Sequence, residues 1–480
     1  MQKNLNQNIA YIKNKFGKTD SLIFKNIDIH NKPACIVYMV GLNDAKNISE
    51  LVISPLIDLQ ESFDSLDTLS KKIYLSETTI QFDDETLISS ILKGKAILLV
   101  DGHEDYLILA VEKYKERTLT EPPTSAVLKG PRSGFVENIL TNIAVLRKIL
   151  ATPDLKDIKL TVGKHTQTAV SIVYIDGIAN TEVVDIVKKR IDGINIDGII
   201  DSSYISQYLE EHPNSMFKQV GNSEKPDVIA SKLLEGRVAI LVDGSPLVLT
   251  VPFLYIEDIQ SGDDYYSNHA RASVVRWIRI ASIFITMLAP ALYIAIILHH
   301  YKAIPLKFLV TIVNTTRGLP LTPFAEILFV LVLFEILYEA SLRMPKYLGL
   351  ALSIVGALIL GDTAVKAGLI SPPAVMIVAI SGLAIYCVPD QAPQLYILRT
   401  VFTFAGAMLG FFGITALLLF LLAYLCDFDS YNTPYFAPIA PLVKKDLSDA
   451  LYKTDITHIK TRPFSINNNK KNMKRQGKKK

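Results

Sequence analysis

The chain has 480 residues and a formal net charge of +3, a balance that points to no particular charged partner. Its apolar residues are concentrated in the second half, in several runs of about 15–28 residues, and about 20 are needed to cross the hydrocarbon core of a membrane. About 270 residues of mixed composition come before these runs. This distribution argues against a wholly soluble protein and favours a soluble domain joined to a polytopic membrane domain.

The first residues contain no apolar segment of the kind found in a signal peptide. We therefore expect residues 1–19 to be a flexible N-terminus and the large N-terminal domain to stay in the cytosol. Cys35, Cys387 and Cys426 are too few and too scattered for a disulfide framework or a zinc site.

Two stretches of the N-terminal half resemble each other. LKGKAILLVDGHEDYLIL at residues 92–109 aligns with LEGRVAILVDGSPLVLTV at residues 234–251, and IVYMVGL at 36–42 aligns with IVYIDGI at 172–178. Short apolar runs that end in Asp-Gly are typical of buried strands followed by tight turns, and helical patterns lie between them. The repeat predicts two related α/β subdomains, over residues 20–125 and 153–265.

The Asp-Gly pairs have two possible interpretations. Each pair is either a turn at the end of a strand, in which Gly supplies a positive φ, or a site where the Asp carboxylate lies at a ligand-binding edge of the sheet. No G-x-G-x-x-G or Walker-type loop supports nucleotide binding, and no Ser/His/Asp or metal-ligand spacing stands out. We therefore expect no enzymatic activity, no cofactor or metal, and no nucleic-acid partner.

Residues 126–152 connect the predicted subdomains and include GPRSGFVENILTNIAVLRKIL. Apolar residues recur there at helical spacing, which predicts a bridging helix with Ser133 placed to cap it. The opposite face is polar and is either simply solvated or in contact with a neighbouring subunit. The candidate contact residues are Arg132, Glu137, Asn138 and Asn142.

The predicted membrane domain covers residues 271–426. It contains five apolar runs, at residues 277–298, 324–340, 347–361, 373–388 and 401–425. Arg271, Arg276 and Arg279 flank the first run, which suits a cytosolic N-terminal domain. The tail, residues 427–480, is rich in lysine and is expected to be cytosolic, disordered at its end and close to anionic lipid.

Both ends on one side of the membrane require an even number of crossings, but there are five apolar runs. Either one run does not span or one run is split. We favour four spans, with residues 324–340 as a re-entrant or interfacial segment because of its glutamates.

Charged residues inside that segment are functional candidates, because a charge at the bilayer centre is costly. Glu335, Glu339 and Arg343 are spaced four apart and share one helix face, whereas Glu326 lies about half a turn away. The face either lines a pore or cavity or belongs to an amphipathic helix that lies at the interface.

Small residues in two of the runs suit close helix packing. The candidates are Gly356, Gly361, Gly406 and Gly410. Asp362 and Lys366 are four residues apart and are a candidate membrane ion pair, and His299-His300 closes the first run at the expected interface.

Several motifs in order resemble one known family. They are GPRSGFVENILTN, VDGSPLVLTVP followed by DDYY, FEILYEASLRMPK, SIVGALILGDTAVKAGLISP, and PYFAPIAP with a later TRP. Over about residues 36–463 the sequence resembles the A subunit of the GerA-type spore germinant receptors. It departs from the family at Asp362 and Lys366, where glutamine and glutamate are frequent, and at Ser133, which is often acidic in relatives.

The resemblance implies a multi-pass protein of the spore inner membrane that triggers germination. Its implied partners are a transporter-like B subunit and a lipoprotein C subunit, and its A subunits are expected to oligomerise into a ligand-gated ion channel. Glu335, Glu339 and Arg343 then become candidates for the conduction path or its gate. A membrane scaffold or signalling subunit without its own pore, or a related sporulation membrane protein of the same family, is the alternative.

Overall fold

The computed structural model describes residues 1–343 apart from residue 18, residues 60–62, residue 64 and residues 113–129, and then residues 362–455, 461–466 and 468–469. The chain divides into two compact units. The α/β unit comprises Met1–Leu254, Asp429–Thr433 and Asp455–Lys480, and the helical unit comprises Tyr255–Phe428 and Pro434–Thr454.

The first half of the α/β unit contains a five-stranded antiparallel sheet. Its strands are β1 (Leu22–Ile29), β2 (Lys32–Met39), β3 (Thr78–Gln81), β4 (Ala96–Val100) and β5 (Tyr106–Leu109). They lie in the order β1-β2-β4-β5-β3. Successive side chains of a strand point to opposite faces, so Leu98 joins one apolar cluster while Ile97 and Leu99 join another. Both faces of β4 are therefore buried, as a continuous apolar run predicts.

Helices cover the two faces of this sheet. They are α1 (Leu5–Phe16), α2 (Ala45–Asn47), a π-helical turn (Ile48–Ile53), α3 (Ser54–Ile57), α4 (Leu66–Lys72) and α5 (Asp84–Leu92). Helix α1 buries Leu5, Ile12 and Phe16 in the same cluster as Ile97. The expectation of a flexible N-terminus over residues 1–19 is therefore wrong, because apolar residues at helical spacing give this segment a face to bury.

The second half of the α/β unit repeats this plan. Its strands are β6 (Leu155–Val162), β7 (Thr168–Ile175), β8 (Gly221–Ser223), β9 (Val238–Val242) and β10 (Val248–Val251). They lie in the order β6-β7-β9-β10-β8, the same order as in the first sheet. Its helices are α6 (Ile139–Ile149), α7 (Thr181–Asp192), α8 (Ser202–Leu209) and α9 (Pro226–Glu235).

The repeat also includes the helix that precedes each sheet. In both halves an asparagine caps that helix, Asn4 in α1 and Asn138 in α6. Asn8 exchanges two hydrogen bonds with the backbone of Gln2, and Asn142 does the same with Val136, at 2.6 and 2.9 Å in each pair. These matching contacts place α1 and α6 at equivalent positions of two related subdomains.

The aspartates of the two Asp-Gly turns bind these same helices. Asp101 accepts the backbone N–H of Leu5 at 2.9 Å, and Asp243 accepts that of Ile139 at 3.0 Å. Each carboxylate thus satisfies an N–H group at a helix start that has no intrahelical partner. The interpretation of Asp-Gly as a strand-end turn is supported. The aspartate of each turn also binds the start of a helix, which the repeat alone did not show.

The helix predicted within residues 126–152 forms over Ile139–Ile149 and belongs to the second subdomain, and residues 126–129 lie outside the described residues. Helix α6 begins at Ile139 rather than near Ser133, and it packs its apolar face into the core of the second sheet. The physical reason is the Asn138 cap, which accepts the Thr141 N–H at 3.0 Å and fixes the helix start.

The segments after the helices return to the α/β unit. Tyr431 is 1% exposed in the core of the second sheet, and its hydroxyl donates to the Leu209 carbonyl at 2.7 Å. Arg462 donates to the Leu234 carbonyl at 2.6 Å, and Asn468 donates to that of Glu235 at 3.0 Å. The expected tail over residues 427–480 is therefore anchored through much of its length, and residues 470–480 lie outside the described residues.

The helical unit is built from long apolar helices with short connections. They are α10 (Gly262–Tyr265), α11 (His269–His299), α12 (Leu306–Thr316), α13 (Pro323–Arg343), α14 (Ala364–Lys366), α15 (Pro372–Ile385), α16 (Ala392–Asp427) and α17 (Leu447–Ala450), with 3-10 turns at Tyr255–Asp258, Tyr301–Ala303 and Pro389–Gln391. A two-residue ladder, β11 (Asp429–Ser430) with β12 (Thr433–Pro434), follows α16. Among the described residues two helical segments are long and apolar enough to cross a membrane, His269–His299 and Pro389–Asp427.

Helix α16 is a hairpin of two helices that meet at Gly410. This glycine has φ 60° and ψ −142°, a non-helical conformation that is nearly restricted to glycine. A straight helix of 36 residues would be about 54 Å long. Instead both of its ends meet the same tyrosines: Tyr255 bonds to Gln391, and Tyr435 bonds to Phe428 and to Tyr255. The two legs, residues 392–409 and 411–427, must therefore run antiparallel.

The contacts also give the direction of the other helices. The base is the end that holds Tyr255, Gln391 and Phe428, and the tip is the end that holds His299 and Gly410, which lie in contact. Helix α11 therefore runs from base to tip. Helix α13 runs from tip to base, because its ring contacts with the first leg of α16 are Phe324–Phe404 and then Tyr338–Tyr396.

Helix α15 runs in the same direction as α13. It starts at the buried end of α13, where Ser371 meets Glu326, and it ends where Tyr386 meets Tyr338. The described helices thus supply five passes between base and tip.

The segment expected to be re-entrant or interfacial is one uninterrupted helix of 21 residues, about 31 Å long. The last apolar run is the one that is split, at Gly410, and the preference for four spans with one non-spanning segment stays a prediction. The third predicted run, residues 347–361, lies outside the described residues, as do Gly356 and Gly361.

Candidate functional site

The centre of the helical unit contains a cluster of polar side chains enclosed by apolar helices. Arg399, in the first leg of α16, is 3% exposed and reaches two neighbouring helices. Its guanidinium donates to Glu335 Oε2 on α13 at 3.2 Å and to Ser381 Oγ on α15 at 3.4 Å. The cluster therefore joins three helices through a single buried cation.

Hydroxyl groups extend this cluster to α11. Ser381 Oγ donates to the Thr286 carbonyl at 2.8 Å, and Thr286 Oγ1 donates to the Ser381 carbonyl at 3.3 Å. Both residues are fully buried. Because buried polar groups are costly unless they are bonded, this reciprocal pair fixes α11 against α15.

The cation at the centre is only partly satisfied. Arg399 Nε has no hydrogen-bond partner among the described residues, and the guanidinium carbon lies 5.1 Å from the centre of the Tyr396 ring. Its one carboxylate partner, Glu335, has a side chain that is 44% exposed. The pair thus links the interior of the unit to an open surface of α13.

The charged residues predicted to share one face of α13 have ion-pair partners on different helices. Glu339 pairs with Arg343 at 2.5 Å, and their side chains are 57% and 79% exposed. Glu335 is bound instead by Arg399, which lies on another helix. Glu335 is on the same continuous helix as Glu339 and Arg343, but its ion-pair partner comes from another helix.

Glu326 has a different environment from the other acids. It is 1% exposed and accepts the backbone N–H of Ser371, the residue that caps α15. A carboxylate at a helix N-terminus satisfies a free N–H group and interacts favourably with the helix dipole. The structure thus gives Glu326 a role in joining α13 to α15 at the tip-side end.

Two further candidate groups lie in different settings. Asp362 and Lys366 form a 2.6 Å ion pair with side chains 55% and 73% exposed, so it is a surface pair. Gly406 lies so close to α11 that a Cβ there would be 2.6 Å from the Ala291 carbonyl oxygen, whereas Gly410 forms the turn.

The four residues predicted to contact a neighbouring subunit through the α/β unit differ in their exposure and in their hydrogen bonds. Arg132 and Glu137 are exposed. Asn138 caps α6, and Asn142 is 1% exposed with its amide bonded to Val136. The side chain of Asn142 is thus used within its own subdomain, which removes it from an exposed polar face.

A second charged cluster lies at the start of α11. Arg276 is fully buried and pairs with Asp264 at 3.0 Å and with Asp449 at 3.2 Å, and Arg279 pairs with Asp264 at 2.8 Å. Two of the three arginines that suggested a positive flank are therefore neutralised inside the unit. Arg271, in contrast, is exposed.

Tyr255 connects the two legs of the hairpin at the base. Its hydroxyl donates to Gln391 Oε1 at 3.2 Å, and its backbone N–H donates to Tyr435, whose own N–H donates to Phe428. Burial raises the pKa of Tyr255 to about 12, so this hydroxyl keeps its proton at neutral pH.

The sequence did not single out Arg399, Ser381 or Thr286. Arg399 comes two residues before the apolar run that begins at residue 401, so the apolar pattern does not include it. Ser381 and Thr286 are small polar residues inside two apolar runs. Their positions in the sequence do not show that the two helices meet.

The comparison with protein families decides the assignment. A family model described as "Bacillus/Clostridium GerA spore germination protein" matches residues 10–465. The chain belongs to the GerA family. This confirms the resemblance found in the sequence motifs.

Relatives in the GerA family match almost the whole chain. The spore germination protein KA of Bacillus subtilis (strain 168) is 36% identical over 99% of this chain and 88% of its own length. The spore germination protein A1 of the same organism is 34% identical over 97% of this chain and 96% of its own. These proteins are named for germination and not for an enzymatic activity.

One similar solved structure is the N-terminal domain of the A subunit of the Bacillus megaterium spore germinant receptor GerK3. It has 31% sequence identity, and the alignment covers 53% of this chain and 97% of the other, with a TM-score of 0.43.

Proposed function

We propose that this chain is the A subunit of a nutrient germinant receptor in the inner membrane of the spore. It acts there with a transporter-like B subunit and a lipoprotein C subunit, and several copies of it form a ligand-gated ion channel. Membership of the GerA family and the germination names of its relatives support the receptor role. The apolar helices of the helical unit support the membrane location.

The Arg399–Glu335 pair is the observation that carries the channel part of the proposal. A buried charge is costly unless it is paired, and removing its partner leaves an uncompensated charge behind. Here the partner is a half-exposed carboxylate on a helix that also presents Glu339 on its surface. The Arg276–Asp264 pair of the same unit is closed, with side chains 0% and 3% exposed, whereas this pair opens outward on its acidic side.

The pair provides a simple gate for cations. While Arg399 holds Glu335, the carboxylate is neutralised and attracts no cation. If nutrient binding separates α13 from α16, Glu335 loses its counter-charge and faces the path as a free carboxylate. Opposite charges a few ångströms apart in a poorly solvated site interact strongly, so a small movement changes the field along the path.

The test compares charge-neutral variants in spores in which this receptor is the only one, with potassium release measured before and after a nutrient broth is added. Glu335→Gln leaves Arg399 as an unpaired cation and should lower nutrient-triggered release at least about tenfold. Arg399→Gln leaves Glu335 unpaired and should permit release before the broth is added.

Glu339→Gln is the matched control. Its carboxylate is exposed and already bonded to Arg343, so release should change by less than about twofold. Normal release from Glu335→Gln spores with normal amounts of receptor would remove the pore role and favour the scaffold alternative.

A further inference from the structure

The segment that connects α11 to α13 carries an unusual charge. Residues 299–322, here called the tip segment, contain Lys302, Lys307 and Arg317 and no aspartate or glutamate. None of the three cations forms an ion pair with a residue that the structure describes. The N-terminal domain is expected in the cytosol, and if the base faces the same side, the tip segment lies on the other side, where basic loops are disfavoured.

Helix α12, within this segment, has an apolar stripe with no cover. Leu306, Val310 and Val313 lie at i, i+4 and i+7 on one face and are 74%, 48% and 50% exposed. Lys307 lies about 90° and Thr311 about 130° round the helix from the centre of this stripe, on a more polar side that also exposes Phe308. The helix thus exposes an apolar stripe beside polar groups, as a segment at a membrane surface does.

A hollow of about 430 Å³ lies at the end of α11, in the first part of the tip segment. It is lined by His299, His300, Tyr301, Lys302, Ala303 and Phe411. The imidazole Nε2 of His299 is 2.8 Å from the Ala407 carbonyl oxygen, and the His300 ring stacks on Phe411 at 4.6 Å. Lys302 adds a cationic side chain to this lining, and no carboxylate is among the lining residues.

We propose that the tip segment binds anionic phospholipid in the leaflet that faces away from the base. The stripe of Leu306, Val310 and Val313 enters the acyl chains, and the cations contact lipid phosphates. Charge complementarity favours this occupant over a second copy of the chain, because the tip segment of another copy carries the same three positive charges. The anionic headgroups offset the charge that the positive-inside tendency disfavours.

The test uses tryptophan fluorescence of the full chain in lipid nanodiscs. Trp277 is the one tryptophan in the sequence, and it is replaced in a Trp277→Phe background. Val313→Trp then reports on the apolar stripe, and Thr311→Trp is the matched probe on the polar face. Brominated phosphatidylglycerol or brominated phosphatidylcholine serves as the quencher.

We expect Val313→Trp to be quenched at least about threefold more strongly than Thr311→Trp, because only the apolar face enters the acyl region. At equal lipid fractions, phosphatidylglycerol should quench more strongly than phosphatidylcholine. Lys302→Gln, Lys307→Gln and Arg317→Gln together should abolish that preference while the chain keeps its fold by circular dichroism.

Equal quenching at the two positions would overturn the proposal, as would equal quenching by the two lipids. Val313→Trp shielded from both lipids, with cross-linking between tip segments, would show a contact between copies instead. The measurement needs neither nutrient nor ion flow, so a chain that conducts no ions but keeps the quenching pattern would refute the channel and leave the lipid site standing.

Discussion

An arginine–carboxylate pair of the α/β unit and one of the helical unit differ in how completely they are enclosed. In the α/β unit Arg147 and Asp157 lie 2.5 Å apart with side chains 2% and 1% exposed. In the helical unit Arg399 and Glu335 lie 3.2 Å apart with side chains 4% and 44% exposed. The first pair is closed and the second is open on its acidic side.

The surroundings of the two carboxylates explain the difference in role. Asp157 also accepts a hydrogen bond from Ser21 at 2.6 Å, which ties the first subdomain to the second. For Glu335 the structure shows one hydrogen-bond donor among the described residues, the guanidinium of Arg399. A closed pair can only hold its elements together, whereas an open pair can exchange its partner for water or a cation.

The largest expected effect comes from breaking the closed pair. Asp157→Ala leaves Arg147 buried and uncompensated and should lower the free energy of unfolding of the α/β unit by about 3–5 kcal/mol. Hydrogen exchange of β6 and β7 in the full-length protein measures this change. Asp185→Ala, at an exposed site of the same subdomain, is the control, and equal exchange in both variants would contradict the role of the closed pair.

The next effect concerns the hairpin that positions the open pair. Gly410→Ala puts a Cβ about 3.0–3.2 Å from the side chains of His299 and His300 and forces a conformation that costs about 1–3 kcal/mol. The thermal midpoint of the helical unit should fall. Gly382→Ala, at a helical position with open space around it, should leave the midpoint unchanged or raise it slightly. If α16 were straight, Gly410→Ala would behave like Gly382→Ala and would not lower the midpoint.

A smaller, paired effect tests the repeat within the α/β unit. Asn8→Ala and Asn142→Ala should each cost about 1–3 kcal/mol, because each leaves a backbone N–H and carbonyl of the preceding segment without its partner. The two losses should agree closely if the helices are equivalent. Asn138→Ser keeps a capping hydroxyl and should cost only a few tenths of a kcal/mol. Unequal losses at Asn8 and Asn142 would argue against the equivalence.

Sequence patterns were sufficient for features that depend on local periodicity. The aligned strands of the repeat predicted the two related sheets, because buried strands leave a continuous apolar run between turn residues. Helix α13 was also visible, with its charges at the correct spacing. The repeat was cut too short at its start, because the Asn4 and Asn138 caps carry little signal in isolation.

The rest depends on contacts between segments that are distant in sequence. Gly410 lies in an apolar run like any other membrane glycine, and only the meeting of both ends of α16 at Tyr255 and Tyr435 shows the turn. Arg399 acquires its role only when α13 and α15 bring Glu335 and Ser381 to it. Pairing partners across a helical bundle have no fixed spacing in the sequence.

A charge exchange between Glu335 and Arg399 tests the gate most directly. Glu335→Arg and Arg399→Glu are made singly and together, and potassium release from spores is measured with and without nutrient broth at matched receptor levels. Each single variant should lose regulated release by at least about tenfold, because each places two like charges in contact. The double variant should return to within about threefold of the unmodified receptor, because the pair is restored with its charges exchanged. A double variant no better than the worse single variant would contradict a gate built on this ion pair.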